Sequence, residues 1–278
     1  MLEWVATVMS AQHARTVGRI QRLWGGYGEI LRVALDDGRT VIVKRVNPPD
    51  IAASVSDTRK RRSYAVEQVF YERYASRCDA RCRVATLFAA RHESSGWTFV
   101  LEDLDAAGFS ERCDPATGHA LDACLAWLAA FHARFMNDAA DGLWGEGTYW
   151  HLATRRDELA IAVEREAIDS ARAHALDQQL AAARFQTILH GDAKEANFCF
   201  TSNERAVAAV DFQYAGRGCG MKDVAYLLHG HSDRHLDTYF RHLRAELSGD
   251  ADAIEREWRA LFPVAQQDFA RFLAGWRG

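Results

Sequence analysis

The chain has 278 residues, 49% hydrophobic and 26% charged, which is enough apolar material for one large domain or two lobes. A net charge of -4 and a pI near 6.3 argue against a dedicated nucleic-acid or anionic-membrane binder. No apolar run approaches the roughly 20 residues of a membrane span, and the start Met1-Leu2-Glu3-Trp4 lacks the basic segment of a signal peptide, so a cytoplasmic protein is expected.

In chain order, residues 2–14 read as a short amphipathic helix, and residues 17–24, 29–35 and 40–46 as three strands of an antiparallel sheet. Asp36-Asp37-Gly38 is a hairpin turn between the last two. Between the first two lies Trp24-Gly25-Gly26-Tyr27-Gly28-Glu29. Its glycines allow backbone N–H groups to close over phosphates, although the run departs from G-x-G-x-x-G and serves equally well as a plain hairpin turn. Lys44 ends Val41-Ile42-Val43-Lys44, apolar on both sides, and needs a carboxylate partner to be more than a solvent-facing lysine. A helix over residues 63–77 offers one: Glu67, Phe70, Tyr71 and Tyr74 share a face, whereas Glu72 lies off it. An unpaired carboxylate among three aromatics would be costly.

Residues 47–56, with Pro48-Pro49, read as a loop, and Arg59-Lys60-Arg61-Arg62 as a solvated basic run beside it. Residues 97–101 are the next strand, running into the acidic turn Glu102-Asp103-Leu104-Asp105. Beyond it the character is helical: Leu121, Cys124, Leu125, Leu128, His132 and Phe135 recur at helix spacing, and residues 155–183 are alanine-rich. The six cysteines are scattered and read as free thiols; Cys78 and Cys82 lack a second pair at zinc-ligand spacing, and His229, His231 and His235 read as polar residues leaving a helix.

The stretch 189–223 carries the chemistry. Short apolar runs at 187–189, 198–200 and 207–212 place Asp192 and Asn197 on a tight loop between strands and Asp211 at a strand end. Asp, then Asn five residues on, then a second Asp after an apolar run is the spacing that phosphoryl transfer needs. Asp192 suits the base that accepts a hydroxyl proton, and Asn197 and Asp211 supply hard oxygen ligands for Mg2+.

His190-Gly191-Asp192-Ala193-Lys194-Glu195-Ala196-Asn197 followed by Val210-Asp211-Phe212-Gln213 resembles the catalytic and metal loops of the aminoglycoside phosphotransferase and choline kinase superfamily. The longer run from Val210 to Leu228 most resembles its ecdysteroid-kinase-like, or choline-kinase-like, branch. The resemblance implies an α+β, protein-kinase-like two-lobed fold, with a small antiparallel-sheet N-lobe at 1–104 and a larger, mainly helical C-lobe at 105–278. It implies transfer of the terminal phosphoryl group of ATP, with Mg2+, to a small-molecule alcohol, with no nucleic acid, membrane or obligate protein partner. In that scheme Gly25, Gly26 and Gly28 cover the phosphates, Lys44 neutralises them, and Glu67 positions Lys44. The backbone from Glu102 to Leu104 holds the adenine, Lys194 touches the transferred group, and Asp223 starts the helix bracing the catalytic loop.

Gly191 stands where protein kinases carry an Arg, Gln213 where they carry Gly, and only eleven residues lie between Asp211 and Asp223. That interval is too short for a peptide-docking segment, which favours a small hydroxyl compound over an atypical protein kinase. The full set of Lys, Glu, Asp and Asn residues disfavours a pseudokinase acting as a binding module. For the acceptor, Trp144, Tyr149, Trp150 and Trp258 fall in the helical half. Such rings suit a cationic alcohol such as choline, or offer flat walls to a bulky neutral one.

Overall fold

The computed structural model describes residues 1–49, 54–94 and 96–276. The chain opens with α1 (Leu2–Val8) and then forms β1 (Ala14–Arg22), β2 (Gly28–Leu35) and β3 (Thr40–Val46). The first helix is shorter than the expected 2–14 because Ser10 takes a left-handed φ of 55°, and the residues from Ala14 pair antiparallel with β2 instead. Next come α2 (Val55–Arg73), β4 (Arg83–Val84), β5 (Leu87–Glu93) and β6 (Gly96–Glu102). Strands one, two, three, six and five make one sheet in the order β1-β2-β3-β6-β5, all neighbours antiparallel. β5 escaped the sequence reading because Leu-Phe-Ala-Ala-Arg-His-Glu lacks β-branched residues and alternation; pairing with β6 makes it a strand.

Period-two alternation decides what faces what. Leu31, Val33, Val41, Val43 and Val100 form a small core with Val5 and Met9 on one side of the sheet. Ile30, Ile42 and Lys44 therefore point to the other side, toward the helical half.

α2 begins at Val55, earlier than expected, because Ser54 caps it by accepting from the Asp57 amide at 3.0 Å. The basic run at 59–62 thus lies inside this helix; of the loop expected at 47–56, residues 50–53 are outside the described residues.

The second half contains α3 (His119–Arg134), α4 (Arg156–Glu164), α5 (Ser170–Ala181), β7 (Thr187–Leu189), β8 (Phe198–Phe200), β9 (Val207–Ala209), β10 (Gly216–Gly218), α6 (Met221–Leu227), α7 (His235–Glu246) and α8 (Ala251–Gly275). The alanine-rich stretch forms two helices because Glu166 adopts a left-handed φ of 55°. α3 is apolar on nearly every side and lies at the centre of the main core. α2 joins that core through Phe70, which stacks on Phe212 at 3.8 Å and 8° and also contacts Phe131. Phe70 is fully buried, so Phe70→Ala is expected to cost about 3–5 kcal/mol, read from urea unfolding midpoints. A loss under about 1 kcal/mol would mean that the Phe70 contact with Phe212 is not a structural tie between the two halves.

Candidate active site

The loop from His190 to Asn197 joins β7, which pairs with β10, to β8, which pairs with β9. Its entrance is fixed by the buried carboxylate of Asp223 at the start of α6, which accepts from the amides of His190 (2.7 Å) and Gly191 (3.0 Å). Gly191 has a φ of 84°, and a Cβ there would sit 2.0 Å from the carbonyl oxygen of Tyr214, so only glycine fits. His190 donates from Nε2 to the Val210 carbonyl (3.0 Å) and accepts the Asp192 amide at Nδ1 (3.2 Å). Burial depresses its pKa, which keeps the ring neutral, as that pattern requires. One imidazole thus ties the Asp192 loop to the strand leading to Asp211.

Asp192 is 9% exposed. Its Oδ2 accepts from Asn197 Nδ2 (2.9 Å) and Lys194 Nζ (3.2 Å), while Oδ1 is buried with no hydrogen-bond donor among the described residues. Burial raises its pKa, partly offset by Lys194. Asn197 Nδ2 also donates to the Asp192 carbonyl at 2.8 Å. With its amide nitrogen turned to Asp192, Asn197 presents its oxygen to the cleft.

Lys44 is 3% exposed and its Nζ lies 2.8 Å from the Glu67 carboxylate and 3.2 Å from Asp211 Oδ1. Burial would depress Lys44, but the two carboxylates outweigh it and hold the pKa above the ordinary lysine value. Asp211 takes a positive φ of 68°, which aspartate tolerates better than most residues. Its Oδ1 also accepts from Gln213 Nε2 (2.6 Å), and Gln213 Oε1 accepts from Ser63 of α2 (3.0 Å). Burial raises the Asp211 carboxyl, but Lys44 brings its pKa below the usual value.

Lys44, Glu67, Asn197 and Asp211 meet at one end of an open cleft of about 930 Å³, with Asp192 bonded to Asn197 outside its lining. The other end is apolar: Leu23 just after β1, Ile30 and Ile42 from the sheet, Ala85 just after β4, Leu101 and Leu104 at the end of β6, and Val210. Leu104 lines it with its backbone N–H unpaired among the described residues, while the side chain of Glu102 is tied to Arg83 and the Thr86 amide.

Gly25, Gly26 and Gly28 do not line this cleft. The run is a short 3-10 turn, and Gly28 is needed by packing, since a Cβ there would lie 2.0 Å from the Arg45 carbonyl oxygen.

Other residues of the site left little trace in the sequence. Gln213 steadies Asp211 from α2, a link visible only as a polar residue two positions after the aspartate. Asp103, buried, accepts from Arg32 (2.8 Å) and Thr40 (2.7 Å), fastening the end of β6 to the sheet. The basic run stays partly solvated but also makes contacts: Arg59 donates to the Thr154 carbonyl (2.9 Å) and Arg62 to those of Gly142 and Leu143 (both 3.1 Å), bracing α2 against the helical half. Of the four aromatics expected near the acceptor, Trp150 and Trp258 are fully buried core residues, whereas Trp144 and Tyr149 remain partly exposed beside Tyr214.

A sheet lysine paired with a helix carboxylate, facing an Asp-Asn loop and an Asp after a strand, defines a kinase-like phosphotransferase. Residues 19–264 match the model of the Phosphotransferase enzyme family, and the chain belongs to that family. Its fold is similar to that of an amicoumacin kinase solved with AMP-PNP and Ca2+, at 17% identity and a TM-score of 0.63 over 98% of this chain and 84% of the other. It is also similar to a macrolide 2'-phosphotransferase from Brachybacterium faecium, at 16% identity and a TM-score of 0.54 over 96% and 90%. A putative fructosamine-3-kinase from Thermobifida fusca gives 18% identity and a TM-score of 0.52 over 95% and 98%. No curated protein matches the chain.

Proposed function

We propose that this enzyme moves the γ-phosphoryl group of ATP to a hydroxyl of a small molecule, with residues 1–104 as the nucleotide lobe and 105–278 as the catalytic lobe. The observation that supports it best is the convergence of Lys44, Asn197 and Asp211 at one end of a cleft whose other end is an apolar slot, with Asp192 hydrogen-bonded to Asn197. The unpaired Leu104 N–H and the backbone of Glu102 would hold the base edge, and Lys44 the α and β phosphates. The glycine turn at 25–28 is proposed as the cover over those phosphates, although it stands beyond the cleft walls.

Asn197 Oδ1 and the Asp211 carboxylate are hard oxygen donors, a set that fits Mg2+; they would hold the ion, which neutralises charge on the phosphates. Asp192 Oδ1 is the acceptor atom left without a partner, and it takes the proton of the incoming hydroxyl. As the new bond from that oxygen to the γ phosphorus forms, the bond to the β,γ-bridging oxygen breaks and ADP leaves. Lys194, already beside Asp192, stands where it can meet the transferred group.

The run from Val210 to Leu228 supports the further proposal of an ecdysteroid-kinase-like branch, and with no helix among the described residues long and apolar enough to cross a membrane we assign the enzyme to the cytoplasm. Release of ADP measured with and without a library of small alcohols, in Mg2+ and in EDTA, tests the reading. Magnesium-dependent, alcohol-stimulated turnover is expected; turnover stimulated only by protein substrates, or nucleotide binding with no turnover at all, would replace it with a protein kinase or a binding module.

Glu67 does its part at second hand, by holding Lys44. Glu67→Gln keeps a hydrogen-bond acceptor but removes the charge, so kcat/KM is expected to fall by roughly 10-fold to 100-fold, less than for Lys44→Met. Equal losses in the two variants would make Glu67 more than a positioning group.

A further inference from the structure

Past Asp192 the site turns cationic. Arg155, only 4% exposed, lies against three rings, with its guanidinium carbon 5.4 Å from the Tyr149 centroid, 5.4 Å from Phe272 and 5.3 Å from Trp276. Its Nε donates to the Tyr149 carbonyl (2.6 Å) and Nη1 to Glu158 (3.0 Å); Nη2 makes no hydrogen bond among the described residues. Arg59 reaches the same segment from α2, through the Thr154 carbonyl, and its Nε is buried without an acceptor. Lys60, next to it, stands 4.6 Å over the Tyr27 ring.

Two tyrosines separate these cations from the catalytic loop. Tyr149 donates its amide to the Gly191 carbonyl (3.0 Å), and Tyr214 accepts from the Thr148 amide (3.2 Å) with its own carbonyl against Gly191. Their rings are 5.9 Å apart. Arg155 thus packs on the ring of Tyr149, a residue whose amide is bonded to the loop that carries Asp192. Burial raises the Tyr214 hydroxyl, and Arg155 and Arg59 on one side and Asp192 on the other act on it in opposite senses, as that placement requires.

Glu158 is the sole carboxylate bonded to either guanidinium among the described residues. Burial depresses the Arg155 pKa and Arg59 depresses it further, which marks two like charges held together without a full set of counter-charges. An anionic ligand relieves that repulsion, and the planar fork of arginine suits carboxylate and phosphate oxygens. The arrangement also removes the cationic alcohol from this place, because a guanidinium of the protein already covers the faces of Tyr149, Phe272 and Trp276.

We propose that the acceptor alcohol carries a carboxylate or phosphate group, bound by Arg155 and Arg59 while its hydroxyl faces Asp192. This rests on the phosphotransfer reading above.

The test is calorimetric titration of the full chain loaded with Mg2+ and AMP-PNP, using matched probes: glycerol against glycerate and glycerol 3-phosphate, and glucose against gluconate and glucose 6-phosphate, with ethanolamine and choline as cations. At least one anionic member should bind about tenfold or more tightly than its neutral match. Preference for the carboxylates or for the phosphates then tells which group the site takes. The preference should vanish in Arg59→Gln and return in part in Arg59→Lys, while the AMP-PNP affinity of both variants stays at the wild-type value. Equal or weaker binding of the anionic members, tighter binding of choline or ethanolamine, or binding of none of the probes would overturn the proposal. So would an Arg59→Gln protein that loses AMP-PNP affinity without changing alcohol preference, since the arginines would then clamp the nucleotide. Failure of AMP-PNP itself to bind the wild-type chain would overturn the phosphotransfer reading along with it.

Discussion

Asp192→Asn is expected to lower kcat by roughly 100-fold to 10,000-fold while the affinity for Mg2+ and AMP-PNP stays close to wild type. The two side chains have the same shape, so the loop should not move. Lys194 and Asn197 both donate to Asp192 Oδ2, and an asparagine must meet those donors with its single oxygen. Its nitrogen then takes the position of Oδ1, the atom that has no donor of its own and faces the incoming hydroxyl in the proposed reaction. An amide nitrogen there cannot take up a proton. Single-turnover rates at saturating nucleotide, with AMP-PNP affinity measured alongside, isolate the chemical step. Turnover retained within about tenfold would remove Asp192 from proton transfer.

The candidate catalytic stretch was legible as a tight loop and a strand end because its pattern is written over a short distance. Asp192, Asn197 and Asp211 sit on one loop and the following strand end, where short apolar runs and a glycine with a forced backbone angle leave few conformations. The Lys44 partner was legible for another reason: one helix face carrying a carboxylate among three aromatics demands a counter-charge, and Lys44 Nζ lies 2.8 Å from Glu67. What could not be read depends on pairings between distant segments. Arg59 and Arg62 look like a solvated basic run until the carbonyls of residues 142–154 come to meet them. β5 has no strand pattern of its own and is made by β6. Trp150 and Trp258 offered the same composition argument as Trp144 and Tyr149, and only packing separates the buried pair from the pair that still meets solvent.

Asp211 carries the other large effect, and here the choice of variant matters. The residue has a φ of 68°, which alanine adopts only at a cost of about 1–2 kcal/mol, so Asp211→Ala mixes strain with lost chemistry. Asp211→Asn avoids this, because asparagine tolerates the left-handed region and keeps one oxygen to meet Gln213 and Lys44. The substitution removes the negative charge that a magnesium ion would bind, and it leaves Lys44 with Glu67 as its one charged partner in the site. Turnover is expected to fall by roughly 1,000-fold or more. Magnesium should no longer strengthen AMP-PNP binding, although the apolar slot and Lys44 preserve a weak, metal-independent affinity. Calorimetric titration of AMP-PNP into wild type and variant, each in Mg2+ and in EDTA, reads all four states. If wild type binds equally well in the two buffers and the variant matches it, Asp211 holds no metal, and its place beside Lys44 is that of a structural counter-charge.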